Sequence, residues 1–165
     1  MPTAEHSAPA EALLDDHELR AWRGLKCAYA GLSKALDAEL ESEHGLPLTS
    51  FEVLRYVGAA DGKRMRMCDL ADSILLSRSG LTRLVDRLER DGLIARESCS
   101  SDARGAYAVL TVTGESKLEA AKSTYRGAVR RMFLDHFSAD ELDNLAAAME
   151  RVLPGVLVGR DGNCC

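Results

Sequence analysis

The chain is short of the features by which most functional classes announce themselves. It has one Trp, four Tyr and three Phe in 165 residues, and four prolines, so neither proline-rich nor aromatic-repeat architectures apply. No apolar run approaches the ~20 residues that a membrane-spanning helix needs. The opening, MPTAEHSAPAEALLDDHELR, places acidic residues where a secretory leader requires a positive start and an apolar centre. Together these predict a cytoplasmic protein with no membrane partner. The five cysteines, at 27, 68, 99, 164 and 165, make no CxxC pair, which argues against a disulfide framework and a zinc knuckle. Catalytic signatures are missing as well: there is no GxSxG, HExxH or GxGxxG. GAADGKR, from Gly58, is one residue short between its glycines for a phosphate loop and lacks the Ser or Thr after its lysine. The four histidines, at 6, 17, 44 and 136, are too scattered to supply the three or four ligands of a metal site. No enzyme activity, no cofactor and no metal are expected.

Positive charge is also scarce overall, the net being −5. Its distribution is uneven. Between Lys63 and Arg104 nine Lys or Arg stand against seven Asp or Glu, a net of +2, and the remainder holds twelve against nineteen, a net of −7. Local charge counts for more than overall charge when the partner is a phosphate backbone.

With 46% hydrophobic and 28% charged residues, the chain has the composition of a globular protein. Its length suits one compact domain, or a small domain with an oligomerisation element. Leu19, Trp22, Leu25, Tyr29, Leu32, Leu36 and Leu40 advance by three or four residues, predicting a long first helix with one inward stripe that stops before Gly45 and Pro47. In LTSFEV, Thr49 and Glu52 have the spacing of a capping box, with Leu48 and Val53 at the staple positions. ADGKR closes this second helix, and Met67 to Ile74 forms a short third. Ser77 then caps a fourth, in which Leu81, Leu84, Val85 and Leu88 recur at amphipathic spacing while Ser79, Thr82, Arg83, Asp86 and Arg90 fall opposite.

After Asp91-Gly92 the period changes. LIARE and AYAVLTVT are strand-like, joined by the turn-rich SCSSDARG, and so predict a hairpin. Thr113-Gly114 opens a long helix whose inner face runs through Leu118, Ala121, Tyr125, Ala128, Val129, Met132 and Phe133. Ser138 and Glu141 make a capping box for a last helix, with Phe137 and Leu142 as its staple. The fold class expected is mainly α: a winged helix-turn-helix with long N- and C-terminal dimerisation helices. Its parts are a tail at 1–10, an N-terminal dimerisation helix at 11–46, a DNA-binding winged domain at 47–112, C-terminal dimerisation helices at 113–155 and a tail at 156–165.

On LADSILLSRSGLTRLVDRLERDGLIAR, together with Asp102, Arg104, Leu110, Thr111 and Gly114 of DARGAYAVLTVTG, the chain from about Leu19 to Leu153 resembles the MarR (multiple antibiotic resistance regulator) transcription factors. The resemblance implies a homodimer whose end helices intertwine, a wing arginine, here Arg104, that enters the minor groove, and release of DNA by a small, often aromatic acid bound between the lobes. It also implies that Asp102 pairs with an arginine and fixes the wing tip. The wing reads DARG where many members have a second arginine, so one basic residue stands for two. Some relatives bind zinc, and Glu43-His44 is a fragment such a site would use, but the helix after the wing offers no second histidine one turn from His136.

Roles also follow from the residues. Ser79, Thr82 and Arg83 occupy the part of a reading helix that faces base edges, and a guanidinium forks onto guanine. Arg78, Arg87 and Arg90 flank it as phosphate contacts, with surface ion pairs to Asp86 or Glu89 the alternative for Arg87 and Arg90. Arg96 lies on the strand below the wing tip. Trp22 and Lys26, four apart, form an effector site for an anionic aromatic ligand or, alternatively, dimer core and a snorkelling lysine. Cys27, near Arg23 and Lys26, is either a redox sensor or an inert buried thiol. The partners expected are double-stranded DNA, a second copy of the chain and a small effector. The competing reading is a helical module whose winged domain binds a protein, which salt dependence of binding would separate from a DNA reader.

Overall fold

The structure, a computed structural model, describes residues 14–74, 76–99 and 102–154, with the side chains of 99 and 102–104 left aside. The tails at 1–10 and 156–165, with His6, Cys164 and Cys165, lie outside the described residues, as does the side chain of Cys99.

Helix α1 spans Asp16–His44. Asp15 and Glu18 form a reciprocal capping box at its start: each carboxylate accepts the other's backbone N–H at 2.8 Å. Gly45 ends it in a left-handed turn at φ 57°. Its stripe is not inward throughout. Leu40 is buried and Leu32 and Leu36 are half-buried, but every residue from 20 to 31 is exposed in the single chain.

Helix α2 spans Leu48–Ala59, and the capping box expected from Thr49 and Glu52 is not what starts it. Pro47 is the N-cap, and the Leu48 N–H donates instead to the Asp37 carboxylate of α1 at 2.8 Å. The helix therefore begins before Thr49, with a carboxylate eleven residues upstream meeting one of its orphan donors. Leu46 and Phe51, both buried, take the staple positions around this cap.

A tight turn at Asp61–Lys63, with Gly62 and Lys63 both at positive φ, leads into β1 (Arg64–Arg66), a strand the sequence reading does not contain. Helices α3 (Met67–Ser73) and α4 (Arg78–Arg90) follow, then β2 (Ile94–Cys99) and β3 (Asp102–Leu110). The antiparallel sheet has the order β1-β3-β2. Strand extends from both sides into SCSSDARG: Ser98 pairs with Ala106 and Cys99 with Asp102, across a register shift between Ser98 and Cys99. Continued strand pairing prevails over the turn preference of Ser and Asp, and a bulge absorbs the mismatch.

Helix α5 spans Val112–Met132, capped by Thr111 and not Thr113. The Thr111 hydroxyl accepts the Gly114 N–H at 2.9 Å and donates to the Gly92 carbonyl at 2.7 Å. A Cβ on Gly114 would lie 2.0 Å from the Leu93 carbonyl oxygen, so only glycine lets α5 come this close to the sheet. Leu110, Thr111 and Gly114 thus form a joint between wing and helix. After a single turn at Leu134–His136, α6 (Ala139–Val152) starts on the expected box of Ser138 and Glu141.

Phe51, Leu54, Val57, Leu70, Leu81, Val85, Leu88, Ile94, Ala108 and Leu118 belong to one buried cluster that unites α2, α3, α4, the sheet and the start of α5. Phe51 stacks on Tyr125 with centroids 4.7 Å apart. Helix α6 buries no residue. The result is a winged helix-turn-helix with long helices at both ends. Among the described residues no helix is long and apolar enough to cross a membrane.

Candidate nucleic-acid interface

Helix α4 is held by its apolar side and offers the other. The Ser77 hydroxyl accepts the Gly80 N–H at 3.1 Å, and Leu81, Leu84, Val85 and Leu88 are buried. Arg78, Ser79, Thr82, Arg83, Arg87 and Arg90 are exposed. Three of these side chains lie back along the helix: Thr82 donates its hydroxyl to the Arg78 carbonyl at 2.9 Å, Arg83 Nε donates to the Ser79 carbonyl at 3.5 Å, and Arg90 Nε donates to the Asp86 carbonyl at 3.3 Å. The Thr82 oxygen keeps lone pairs for an outside donor, and each guanidinium keeps further N–H groups.

No ion pair among described residues engages Arg78, Arg83, Arg87 or Arg90, so the pairing of Arg87 or Arg90 with Asp86 or Glu89 is not formed. Arg96 of β2 takes both carboxylates, Asp86 at 2.6 Å and Glu89 at 3.3 Å, and also donates to the Thr82 carbonyl at 3.2 Å. Arg87 is attached elsewhere. Its Nη2 donates to the hydroxyl of buried Ser50 in the first turn of α2, at 3.1 Å.

Asp102 and Arg104 belong to β3, on the hairpin that follows α4; their side chains lie outside the described set. The sheet beneath is fastened by Arg64, whose guanidinium lies 4.2 Å from the Tyr107 ring centroid and 3.4 Å from Glu97. Lys63 pairs with Glu115 in the first turn of α5. None of these cross-element partnerships has a periodic signature. The two carboxylates three apart on α4, Asp86 and Glu89, were the one hint that Arg96 would find partners there.

The other sequence-selected residues separate from this surface. Lys26 Nζ stands 5.9 Å from the Trp22 ring centroid, so the pair forms. Both residues lie on the exposed part of α1, and the inward-facing cleft expected for them is not built by one chain alone. Cys27 is exposed too, contrary to the buried alternative within a single chain. Cys68 donates its thiol to Asp69 at 3.3 Å; burial first, then Asp69, pushes its pKa up, away from a reactive thiolate. His44 Nε2 and Thr124 Oγ1 are 2.8 Å apart, and Thr124 donates to Glu43 at 2.8 Å, so the Glu43-His44 fragment is occupied in joining α1 to α5. Among the described residues no group of three or more His, Cys, Asp or Glu is placed to hold a metal.

The profile described as the MarR family matches residues 44–105. The fold superposes on AbsC, a MarR family transcriptional regulator from Streptomyces coelicolor, with TM-score 0.80 and 34% identity, covering 85% of this chain and 94% of that one. Sco3205, a MarR family transcriptional regulator of the same organism solved in complex with DNA, matches with TM-score 0.82 and 29% identity over 93% and 96% of the two chains. The homoprotocatechuate degradative operon repressor of Escherichia coli is 28% identical over 67% of this chain and 72% of its own length. The matched profile spans the helix-turn-helix and reaches into the hairpin, and the structural match extends over the end helices: the chain belongs to the MarR family of DNA-binding transcriptional regulators and is not an enzyme.

Proposed function

We propose that the chain is a cytoplasmic, homodimeric repressor that holds a pseudo-palindromic operator and leaves it when a small anionic, aromatic effector binds. The observation that carries the DNA side of this reading is the outer face of α4. Hydroxyls and guanidiniums there are free of ion pairs with described residues on a helix fixed by four buried apolar side chains. Ser79, Thr82 and Arg83 read base edges, Arg78, Arg87 and Arg90 hold phosphates, and Arg104 enters the minor groove with Asp102 steadying the wing tip.

Support for the dimer comes from the ends of the chain. Trp22, Leu25 and Tyr29 on α1, and Val152 and Leu153 near the end of α6, are exposed large apolar residues, and a second copy gives them a partner by twofold symmetry. The regions 11–46 and 113–155 are thus the dimerisation parts and 47–112 the DNA-binding part. Two such units on one face of B-DNA put half-site centres about ten base pairs apart. The repressor and effector roles draw on the relative named as the homoprotocatechuate degradative operon repressor and on the Trp22–Lys26 pair, an aromatic plate beside an ammonium.

The test is to select a duplex from a random library with the full chain and footprint the complex. Two protected half-sites, lost on adding members of a panel of small aromatic acids, are expected. Protection of a lone half-site, or a sedimenting folded monomer at micromolar concentration, contradicts the dimer. Acids that neither release the duplex nor raise the melting temperature contradict the effector.

A further inference from the structure

Arg96 is on the strand, not on the reading helix, and its guanidinium spends its donors inside the protein. It reaches from β2 to three points on α4: the Asp86 carboxylate at 2.6 Å, the Glu89 carboxylate at 3.3 Å and the Thr82 carbonyl at 3.2 Å. The Arg96 side chain is 28% exposed, whereas those of Asp86 and Glu89 are 46% and 42% exposed, so the arginine is the sheltered member and its partners reach outward. The partners lie among the residues that matter for DNA. Asp86 and Glu89 flank Arg87, Arg83 is one turn before Arg87, and Thr82 adjoins Arg83.

We propose that Arg96 is a positioning residue for DNA recognition: it sets the tilt of α4 against the wing and offsets one of the two negative charges of Asp86 and Glu89 that would otherwise repel phosphates from the reading face. The inference rests on α4 being the helix that enters the groove. Two consequences differ in kind. Neutralisation acts on every DNA sequence, because unmasked carboxylates near the backbone oppose binding wherever the protein lands. Positioning acts on the preferred sequence, because base-edge hydrogen bonds need the helix in one orientation, whereas phosphate contacts tolerate a small rotation. A partly exposed ion pair contributes little to stability, so the fold survives loss of the clamp.

The experiment compares affinity for the duplex selected from a random library with affinity for a random-sequence duplex, for the full chain and four variants. Arg96→Met is expected to weaken random-duplex binding about tenfold and selected-duplex binding about a hundredfold. Adding Asp86→Asn and Glu89→Gln to Arg96→Met is expected to restore the random-duplex affinity and leave the selectivity low, since the repulsion is gone but the clamp is still missing. Arg96→Lys keeps the charge without the fork; it is expected to hold the random-duplex affinity and lose about tenfold in selectivity. This variant also keeps the idea open to refutation if Arg96→Met fails to fold. Arg83→Ala is the control for the underlying reading. If it leaves selected-duplex affinity intact, α4 is not the reading helix and both ideas fall. If Arg83→Ala loses affinity while Arg96→Met and Arg96→Lys bind both duplexes as the parent does, Arg96 positions nothing. If the triple variant recovers no random-duplex affinity, the neutralising role is wrong.

Discussion

In α4, Leu81, Leu84, Val85 and Leu88 stand at helical spacing and are buried under α2, α3 and the sheet. In the first half of α1, Trp22, Leu25 and Tyr29 stand at the same spacing and are exposed, Tyr29 to 72%. The pattern reports that a face is apolar; it does not report which chain covers it. For α4 the cover is intramolecular, which leaves the polar face as the surface for a ligand. For α1 the apolar face is the free surface, and the polar face has water. The same amphipathic code therefore leaves a polar face exposed in one place and an apolar face exposed in the other.

Leu88→Ala removes a fully buried side chain from α4 and is expected to cost about 2–5 kcal/mol of stability, read from denaturant unfolding. A cost below that range would mean that α4 rides on the surface and is not anchored by its stripe. Trp22→Ala addresses the other helix. It is expected to weaken association by about 2–4 kcal/mol, seen as dissociation to monomers in sedimentation equilibrium. A variant that remains dimeric at the parent's dissociation constant would assign the exposed stripe of α1 to another use.

Within the polar face, Arg83→Ala is expected to cost about 1–3 kcal/mol on the selected duplex and to flatten discrimination at one position per half-site. Random DNA should register little change. Arg104→Ala should weaken both DNAs and make the salt slope shallower by about one per subunit. Equal losses on every sequence for both variants would reduce α4 to a phosphate clamp.

The smallest expected effect concerns Glu52 of α2, whose carboxyl is raised above its ordinary pKa by burial, with Arg55 opposing the shift. A raised carboxyl pKa means that the folded state holds its proton more tightly, so the group's stability contribution declines as pH rises through the folded pKa. Glu52→Gln removes that penalty. Its melting temperature should exceed the parent's at neutral pH and the two should converge below the unfolded pKa, near pH 4. A difference constant with pH would mean that the charge at Glu52 is not what costs stability.

The parts of the molecule written in local code were legible. The apolar stripe of α4, the Ser77 cap and the Ser138–Glu141 box depend on residues within one or two turns of each other, and a periodic or capping rule sees them. What escaped needs the third dimension. The first strand, Arg64–Arg66, is too short to display a period, and it exists because β3 offers it an edge. The start of α2 is set by Asp37 on a different helix, so the capping spacing around Thr49 pointed to the wrong residue. Thr113 precedes Gly114 as a cap might, but Thr111 is the residue placed to bond both Gly114 and the carbonyl of Gly92. On α4 the basic face was visible in the sequence, but the pairing of Arg96 with Asp86 and Glu89 was not, because it is a contact between elements.

The joint at Thr111 and Gly114 has a mechanical consequence. Because the Thr111 hydroxyl is tied to Gly92 and the backbone of α5 closes on Leu93 where no Cβ intervenes, helix and wing share one pivot without slack. The 21 residues of α5 make a rod about 30 Å long, and a swing of about 5° displaces the far end of such a rod by roughly 3 Å. A change of angle at this joint would therefore be felt most at the far end of α5, where Arg131 meets Glu39 of α1.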